Sequence, residues 1–447
     1  MLIRFLVENF LSFNQEVEFS MVAGRSRQHP NHITTNSSRN CIDILKMGVI
    51  YGANAAGKSN LIAAMSFARK LIVRGTKAKK AILLSRFKLN HASLNSPAKF
   101  TFEFKQGDKY YLYGFELDTH RIHSEWLYEI NKSSQKLLFE RKTDDKNETT
   151  VEFGHVKYTH KTEEPFFQFI AKGTRANQLF LTETIERGIK DFEHVHEWFS
   201  KSLVFISPDT KFHGLEIKLD RDENFREELL KLLRVFNTGI SGIELVEVNF
   251  EKEVGDIPEE LKADLVVDIE IGNKVILNTP LNKRYLIERN QNNEILGWKL
   301  MTKHKMSESE AEASFEVAHE SDGTQRLMDL IPILINSAND DTVFIIDELD
   351  RSLHPSLSYA ILEFFLANKS HSNQLIVTTH ESTLLDLGLL RRDEIWFVEK
   401  NNRGESTVYS LEEFTPRYDK DIRKGYLVGR FGAIPIMSEK SKLGWVK

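Results

Sequence analysis

One short stretch constrains this chain more than any other. Residues Gly52–Ser59, of sequence GANAAGKS, match G-x-x-x-x-G-K-[ST] at every fixed position. The apolar run Val49–Tyr51 predicts a strand directly before it, and apolar residues at helical spacing from Leu61 to Ile72 predict a helix directly after it. A strand, a glycine-containing turn and a helix in this order direct backbone N–H groups toward a bound anion. The sequence therefore predicts a phosphate-binding loop (P-loop) in an α/β fold.

The residue type at each fixed position of the P-loop can be explained chemically. Gly52 and Gly57 permit backbone angles and a close approach that a Cβ would block. The Lys58 ammonium is predicted to contact the β- and γ-phosphates, and the Ser59 hydroxyl to bind Mg²⁺. The predicted nucleotide-binding residues are Gly52, Asn54, Ala55, Ala56, Gly57, Lys58, Ser59 and Asn60.

A second motif supplies the acidic groups that a P-loop needs. The apolar run Val343–Ile346 predicts a buried strand, and Asp347 and Glu348 follow it directly. Asp347 is predicted to hold Mg²⁺, and Glu348 to act as general base toward the attacking water. An acidic helix cap after a core strand is the alternative, and the presence of a P-loop disfavours it. Guanine-specific proteins usually carry N-K-x-D, and the near matches at 131–134 and 282–285 lack the aspartate, so ATP is the expected nucleotide.

Residues 320–326, of sequence ESDGTQR, precede the acidic strand and are predicted to open a helix. They are similar to the ABC signature, L-S-G-G-Q, with Ser321 and Gly323 on matching positions. Those two residues would then contact the γ-phosphate held by a second copy of the chain. Glu320, Asp322 and Thr324 depart from the pattern, and taken alone the segment is better explained as a helix cap.

Two further residues complete a series of motifs. Asp350 follows Glu348 at the position of the D-loop of ABC ATPases, and His380 ends the apolar strand predicted at Leu375–Thr378. A histidine after a strand is usually structural. At this spacing and in this order, His380 is instead predicted to sense the γ-phosphate, and it joins Glu348 and Lys58 as a predicted catalytic residue.

The order of these motifs resembles that of an ABC/SMC-type ATPase head. The opening Glu8–Phe13 is similar to the N-F-x-S-F start of SMC-type and RecF-like heads. The strings at 320–327, 347–355, 379–382 and 429–435 resemble a prokaryotic family of AAA/ABC-like ATPases that is related to the OLD nucleases. Its members include ATPases of abortive-infection and other anti-phage systems. The resemblance implies a homodimer with shared ATP sites, or a higher oligomer built from such dimers, and an effector, a nuclease or toxin, encoded nearby.

The predicted fold is an α/β ATPase head with an antiparallel β subdomain and a mixed α/β insertion. Four segments are expected: 1–95 with the P-loop, 96–160 as the β-rich subdomain, 161–310 as the insertion, and 311–447 with the remaining motifs. Sustained heptads are absent between Ser59 and Ser321, so no long coiled coil is expected. The part after His380 is too short for a TOPRIM nuclease domain. Gln106 is the nearest candidate for a Q-loop glutamine, although a turn residue is the favoured explanation.

Composition narrows the function classes. The chain is 41% hydrophobic and 28% charged, with a single cysteine, Cys41, and it lacks the roughly 18 consecutive apolar residues of a membrane span. A cytoplasmic protein without a membrane role is therefore expected. The net charge of −5 does not support a nucleic-acid binder. The cluster Arg74, Lys77, Lys79 and Lys80 is better explained as a solvated loop than as a nucleic-acid contact.

The favoured function is a dimeric ATP-dependent sensor or switch in anti-phage defence that controls a separate effector. A DNA-repair-type ATPase with its own nuclease activity is the alternative. Its metal would have to come from residues such as His155, Glu163 and Glu164, which show no recognised spacing. An ATPase subunit of a membrane transporter is disfavoured by the large insertion and by the atypical signature.

Overall fold

The chain is known here from a computed structural model. It describes residues 1–34, 42–131, 134–154, 163–208, 211–212, 214–253, 269–278, 284–307, 309–335, 341–367, 372–414 and 421–435. Two units can be separated by their internal contacts. The first comprises Met1–Pro208, Asn339–Asp350 and Leu366–Lys447, and the second comprises Asp209–Ala338 and Arg351–Phe365. The expected division into four segments stays a prediction.

The described residues form both strands and helices, and runs of consecutive strands, such as those between residues 98 and 153, are common. The strands are β1 (Leu2–Glu8), β2 (Val17–Ser20), β3 (Ile33–Thr34), β4 (Ile44–Leu45), β5 (Met47–Tyr51), β6 (Ala98–Gln106), β7 (Lys109–Leu117), β8 (Ile122–Asn131), β9 (Ser134–Thr143), β10 (Thr149–Phe153), β11 (Leu203–Ile206), β12 (Ile240–Val248), β13 (Lys274–Asn278), β14 (Arg284–Arg289), β15 (Ile295–Lys305), β16 (Glu312–Glu316), β17 (Val343–Ile346), β18 (Gln374–Thr378), β19 (Ile395–Lys400) and β20 (Ser406–Ser410). The α-helices are α1 (Lys58–Arg74), α2 (His91–Asn95), α3 (Glu163–Gly173), α4 (Phe180–Glu186), α5 (Glu193–Glu197), α6 (Leu215–Arg221), α7 (Glu223–Val235), α8 (Phe250–Glu253), α9 (Asp322–Ile335), α10 (Pro355–Ala367) and α11 (Ile422–Leu427).

A six-stranded sheet in the first unit carries the P-loop. Its strand order is β11-β17-β18-β5-β19-β20, and all neighbouring pairs are parallel except β19 with β20. Every residue of β5, β17 and β18 is buried, because these apolar strands are covered on both faces. The predicted strands at 49–51, 343–346 and 375–378 are thereby confirmed. Since β5, β17 and β18 run parallel, the residues that follow them meet at one edge of the sheet.

An antiparallel sheet forms the second layer of this unit. Its seven strands follow the order β10-β9-β8-β7-β6-β1-β2, which confirms the predicted antiparallel β subdomain. Their apolar faces contribute Phe100, Phe102 and Phe104 to the core, where the Phe104 ring stacks on Trp198. Gln106 ends β6 opposite Lys109 in a hairpin, which agrees with the favoured explanation as a turn residue.

The second unit has its own sheet and helices. Strands β12, β15, β14 and β13 pair in that order, and β16 pairs with β15, all antiparallel. Helix α7 is amphipathic and packs against α9, which contains Pro332. Within the ranges described above, no helix combines the length and apolar character needed to cross a membrane.

Candidate nucleotide site

The P-loop adopts a backbone that its glycines make accessible. Gly57 has φ +119°, a left-handed angle that side chains rarely adopt, and it lies at the start of α1. A Cβ on Gly52 would lie 2.4 Å from the Val398 carbonyl oxygen, and one on Gly57 would lie 2.5 Å from the Ser406 hydroxyl. The exposed tip of the loop is formed by Asn54 and Ala55. Glycine is therefore required at both positions for the loop to pack as it does.

Hydrogen bonds among side-chain hydroxyl and amide groups hold the P-loop in place. Ser406 donates to the Ala56 carbonyl at 2.6 Å, and its oxygen can accept from the Ser12 hydroxyl, which lies 2.8 Å away. Asn60, in the first turn of α1, donates to the same Ser12 hydroxyl at 2.7 Å. Ser12 comes from the Glu8–Phe13 string, so this string supports the P-loop together with Ser406, which lies 350 residues after Ala56. Ser406 was not predicted from the sequence, because a serine on an edge strand carries no local signal.

Lys58 is buried, and its ammonium points back into the loop. Its Nζ donates to the carbonyls of Gly52 at 2.9 Å and Ala53 at 3.2 Å, and lies 3.5 Å from Nδ1 of His380. Burial lowers the pKa of Lys58 to about 8, opposed by the carboxylates of Asp347, Asp350 and Glu348. A cation is thus held among the loop carbonyls where the P-loop faces the acidic residues.

Ser59 and Asp347 meet at the edge of the sheet. The Ser59 hydroxyl donates to Oδ1 of Asp347 at 3.2 Å, although the two residues are far apart in sequence. The buried Thr378, at the end of β18, donates from its hydroxyl to the same Oδ1 at 2.5 Å. That hydroxyl also accepts a 2.8 Å hydrogen bond from the backbone N–H of Glu348. Thr378 therefore links the Asp347 carboxylate to the backbone of Glu348.

Glu348 has a strained backbone. Its φ of +52° is left-handed, which for a residue with a long side chain costs on the order of 1–2 kcal/mol. Two hydrogen bonds to Thr378 hold the conformation: the Glu348 N–H donates to its hydroxyl at 2.8 Å, and the Leu349 N–H donates to its carbonyl at 3.0 Å. Strain of this kind is typical of residues whose direction matters for function.

His380 and Asp350 lie next to this group. The His380 backbone N–H donates to both Asp350 oxygens, at 3.3 and 3.4 Å. Burial, and then the Lys58 ammonium, lower the pKa of His380, which favours a neutral imidazole facing Lys58. The structure therefore brings Lys58, Ser59, Asp347, Glu348, Asp350 and His380 together at one sheet edge.

A cavity of about 780 Å³ opens over the P-loop. Its walls are the loop residues Gly52–Ala56, His380 and Ser382, the hairpin 398–402, and the C-terminal residues Tyr426 and Ala433–Pro435. The string at 429–435 is anchored there, because the Tyr409 hydroxyl donates to the Phe431 carbonyl at 2.8 Å and the Phe431 ring stacks on Phe397. This string therefore forms one wall of the cavity.

Ser321 and Gly323 belong to the second unit. The Ser321 hydroxyl accepts the Thr324 N–H at 3.2 Å at the start of α9, so the capping role is present. Asp322 is the first residue of α9, where a carboxylate is favoured by the helix dipole. A Cβ on Gly323 would lie 2.7 Å from the Ser352 carbonyl oxygen. Ser321 itself is exposed, and the proposed contact with a nucleotide stays a prediction.

The residues of the first unit fit a nucleotide with Mg²⁺. Mg²⁺ is commonly bound through one or two protein oxygens together with phosphate oxygens and water, and Ser59 and Asp347 provide such a pair. The described residues contain no group of three or more His, Cys, Asp or Glu that could hold a metal ion without a nucleotide. His155, and the side chains of Glu163 and Glu164, lie outside the described residues.

Strand order and site together define a class of protein. The P-loop follows β5, the acidic pair follows β17, and β18, which leads to His380, lies between them. With the antiparallel sheet beside it, this is the P-loop NTPase fold of the ABC-ATPase head type.

The chain belongs to the family described as "AAA domain, putative AbiEii toxin, Type IV TA system", whose sequence model matches residues 48–386. The match includes every predicted site residue, from Gly52 to His380. It confirms the resemblance to AAA/ABC-like ATPases of abortive-infection systems.

Among proteins with curated descriptions, none matches the chain. Three solved structures of SMC head domains align with almost its whole length. The SMC head domain from Thermotoga maritima is 12% identical, with a TM-score of 0.37, over 92% of this chain and 98% of that one. An SMC head bound to the C-terminal winged-helix domain of ScpA is 12% identical, with a TM-score of 0.41, over 93% and 99%. An SMC head from Pyrococcus furiosus with an extended coiled coil, bound to the C-terminal domain of ScpA, is 13% identical, with a TM-score of 0.34, over 93% and 97%. These scores are low, so the fold assignment rests on the strand order and the P-loop.

Proposed function

We propose that the chain binds ATP with Mg²⁺, hydrolyses it as a homodimer with shared sites, and acts as a switch that controls a separate effector in anti-phage defence. The observation that carries the ATPase is the meeting of Lys58, Ser59, Asp347, Glu348 and His380 at the carboxyl ends of β5, β17 and β18. A cationic group, two oxygen ligands, a carboxylate base and an imidazole are the components that phosphoryl transfer to water requires.

The binding roles follow from the contacts. The P-loop N–H groups and the Lys58 ammonium would hold the phosphates, and Lys58 would exchange its contacts with the Gly52 and Ala53 carbonyls for phosphate oxygens. Ser59 and Asp347 would hold Mg²⁺, which when bound neutralises charge on the phosphates. The cavity bounded by 398–402 and Ala433–Pro435 reaches Gly52–Ala56 and His380, and would take part of the bound nucleotide.

Hydrolysis requires a base and a response to the γ-phosphate. The Glu348 carboxylate would accept a proton from the attacking water, with its direction fixed through Thr378. A neutral His380 would donate a hydrogen bond to the γ-phosphate. Because the His380 N–H bonds Asp350, a shift of His380 would move the predicted D-loop.

The role in defence rests on the family description, which names a toxin and a type IV toxin–antitoxin system, and on the resemblance of the motif strings. Ser321 and Gly323 of one copy would complete the site at Lys58 of the other. The effector would be a nuclease or toxin encoded nearby, and the neighbouring genes would identify it. The alternative of intrinsic nuclease activity has no metal cluster to support it among the described residues.

Turnover by the purified chain tests the proposal directly. Phosphate release from ATP is expected with Mg²⁺, to fall to background with excess EDTA, and to return when Mg²⁺ is restored, because Ser59 and Asp347 hold the metal only together with the nucleotide. Release from GTP is expected to be slower. A Lys58→Ala variant serves as the control for contaminating ATPases, and undiminished phosphate release by that variant would contradict the assignment.

Thr378 offers a sharper prediction, because nothing in its sequence context assigns it a role. Thr378→Val keeps the shape of the side chain but removes the hydroxyl that donates to Asp347 and accepts from the Glu348 N–H. Turnover is expected to fall about 10- to 100-fold. The Mg²⁺ concentration needed for half-maximal binding of a fluorescent ATP analogue is expected to rise.

Thr378→Ser is the matched variant, since it retains the hydroxyl and loses only a methyl group. Turnover within about threefold of the wild type is expected for it, allowing for a small loss of packing. Equal Mg²⁺ dependence in the valine and serine variants, with both melting as the wild type does, would show that Thr378 does not position Asp347.

A further inference from the structure

One long stretch of the chain contains no acidic residue. Between Asp43 and Glu103 there are eleven lysines and arginines and no aspartate or glutamate. With 65 acidic residues in 447 positions, a stretch of this length would be expected to hold about nine. The net charge of −5 therefore conceals a strongly basic segment.

Some of these cations already have structural partners. Lys58 bonds the P-loop carbonyls, Arg69 donates to the Phe199 and Ser200 carbonyls, and Lys99 pairs with Glu16 at 3.0 Å. Other members are exposed and, within the described parts of the chain, form no ion pair with a carboxylate. They are Lys70, Arg74, Lys77, Lys79, Lys80 and Lys88. Most of them cluster at the end of α1 and in the turn that follows it.

That turn is held in place by buried amides. Asn177 donates from Nδ2 to the carbonyls of Lys77 and Lys80, both at 3.1 Å. Gln178 accepts at Oε1 from the backbone N–H and the hydroxyl of Thr76, both at 2.8 Å. Asn177 is 8% exposed and Gln178 is fully buried. Burying an amide costs free energy unless its hydrogen bonds are made, and here both amides bond the backbone of the turn. The turn is therefore held in one conformation before any ligand binds, and it is not a loosely solvated loop.

The segment that contains Asn177 and Gln178 also brings another cation, Arg175, to the turn. Arg175, exposed and next to the anchoring amides, donates to the Thr76 carbonyl at 2.9 Å. Lys79 has a left-handed φ of +59°, and the exposed Lys77 and Lys80 flank it. We call Arg74–Lys80 together with Arg175 the basic turn. It presents five cationic side chains from a backbone fixed by hydrogen bonds.

We propose that the basic turn binds the phosphate backbone of a nucleic-acid duplex. Clustered lysine and arginine side chains neutralise phosphates and release counterions, and such contacts position a protein without reading sequence. A single strand would need exposed aromatic side chains on which bases stack. Between residues 74 and 89 the only aromatic residue is Phe87, which is 2% exposed. The segment 74–89 therefore carries charge without a stacking surface, which favours a duplex.

Helix α1 joins the basic turn to the nucleotide site. It begins at Lys58 in the P-loop and ends at Arg74, a span of about 25 Å for its 17 residues. The proposal does not depend on ATP hydrolysis, so its test is a binding measurement without nucleotide.

The test follows the fluorescence anisotropy of a labelled DNA duplex of about 30 base pairs while NaCl is raised, since affinity for phosphates falls steeply with salt. The triple variant K77A/K79A/K80A is expected to bind at least tenfold more weakly at low salt, with a salt slope smaller by about two to three. The control triple K109A/K142A/K201A removes the same charge from exposed lysines that are each paired with a glutamate. It is expected to bind within about twofold of the wild type.

A charge-preserving triple, K77R/K79R/K80R, is expected to retain binding, which separates loss of charge from loss of fold. No binding by the wild-type chain, an equal loss in the control triple, or tighter binding of a single strand of the same length would overturn the proposal. So would binding of phosphatidylserine vesicles without binding of the duplex, since Leu83 is 91% exposed beside the turn and could enter a membrane surface instead.

Discussion

Replacing Glu348 with glutamine is expected to lower ATP turnover by at least a hundredfold while leaving ATP binding intact. Glutamine keeps the size and most hydrogen-bonding capacity of the side chain but cannot accept the proton of the attacking water, and loss of a general base typically costs a factor of 10²–10⁴. The backbone at Glu348 is fixed by two hydrogen bonds that the N–H groups of Glu348 and Leu349 donate to Thr378, so the amide should occupy the place of the carboxylate. A variant that binds but does not hydrolyse should accumulate in the ATP-bound state.

Two measurements check this expectation. Phosphate release reports turnover, and light scattering coupled to gel filtration reports whether ATP with Mg²⁺ converts the variant to a stable dimer. Glu227→Gln, which changes an exposed glutamate of α7 in the same way, should behave as the wild type. Unchanged hydrolysis in the Glu348→Gln variant would remove the general-base assignment, and a variant that stays monomeric with saturating ATP would contradict the shared-site dimer.

Mixing two inactive variants is expected to restore activity, which is the most direct test of a shared site. Lys58→Ala removes the cation at the P-loop, and Ser321→Arg blocks the signature position with a bulky side chain. Each variant alone is expected to lose at least 90% of turnover. In a mixed dimer, one site would combine the intact Lys58 of one copy with the intact Ser321 of the other. An equimolar mixture should therefore recover up to about one quarter of wild-type turnover, as expected from random pairing in a two-fold symmetric dimer.

The design has an internal control. If the nucleotide were bound by residues of a single copy, every site in the mixture would still lack either Lys58 or Ser321, and mixing would restore nothing. Ser321→Arg also removes the helix cap that Ser321 provides to Thr324, at a cost of about 1 kcal/mol, so its thermal unfolding should be compared with that of the wild type. Recovery in a mixture of Lys58→Ala with Glu348→Gln would not be expected, because both changes lie at the same site of one copy and leave each mixed site either without its cation or without its base.

The sequence predicts only part of what the structure shows for the cavity wall at Ala433–Pro435. The string at 429–435 resembles that of a family of ATPases, but the sequence assigns it no position in the fold. The structure places it beside the P-loop, anchored through Tyr409 and the stacked rings of Phe397 and Phe431. Stacking between side chains from different elements leaves no periodic signal in a sequence, so this position could not have been predicted.

In the signature segment, the structure supports the simpler of two explanations, a helix cap. A serine directly before a helix caps it, and Ser321 does so. An acid in the first helical turn, unexpected next to phosphate, is explained by the helix dipole at Asp322. Both residues are thus explained within the chain that carries them, and the contact of Ser321 with a nucleotide stays a prediction that the mixing experiment tests.

The sequence by itself determined the P-loop, the apolar strands β5, β17 and β18, and the residues that follow them, because each depends on neighbours within a few positions. Three features can be recognised from neighbouring residues alone: the glycines at 52 and 57, the apolar run before Asp347, and the strand that ends near His380. Only the tertiary structure showed which side chains hold the site residues and the basic turn in place. Thr378 joins Asp347 to Glu348, Ser12 and Ser406 support the P-loop, and Asn177 and Gln178 fix the basic turn. Each is a polar side chain that bonds a residue far along the chain, and a hydrogen bond between distant segments exists only once parallel strands and packed loops have brought its two atoms together.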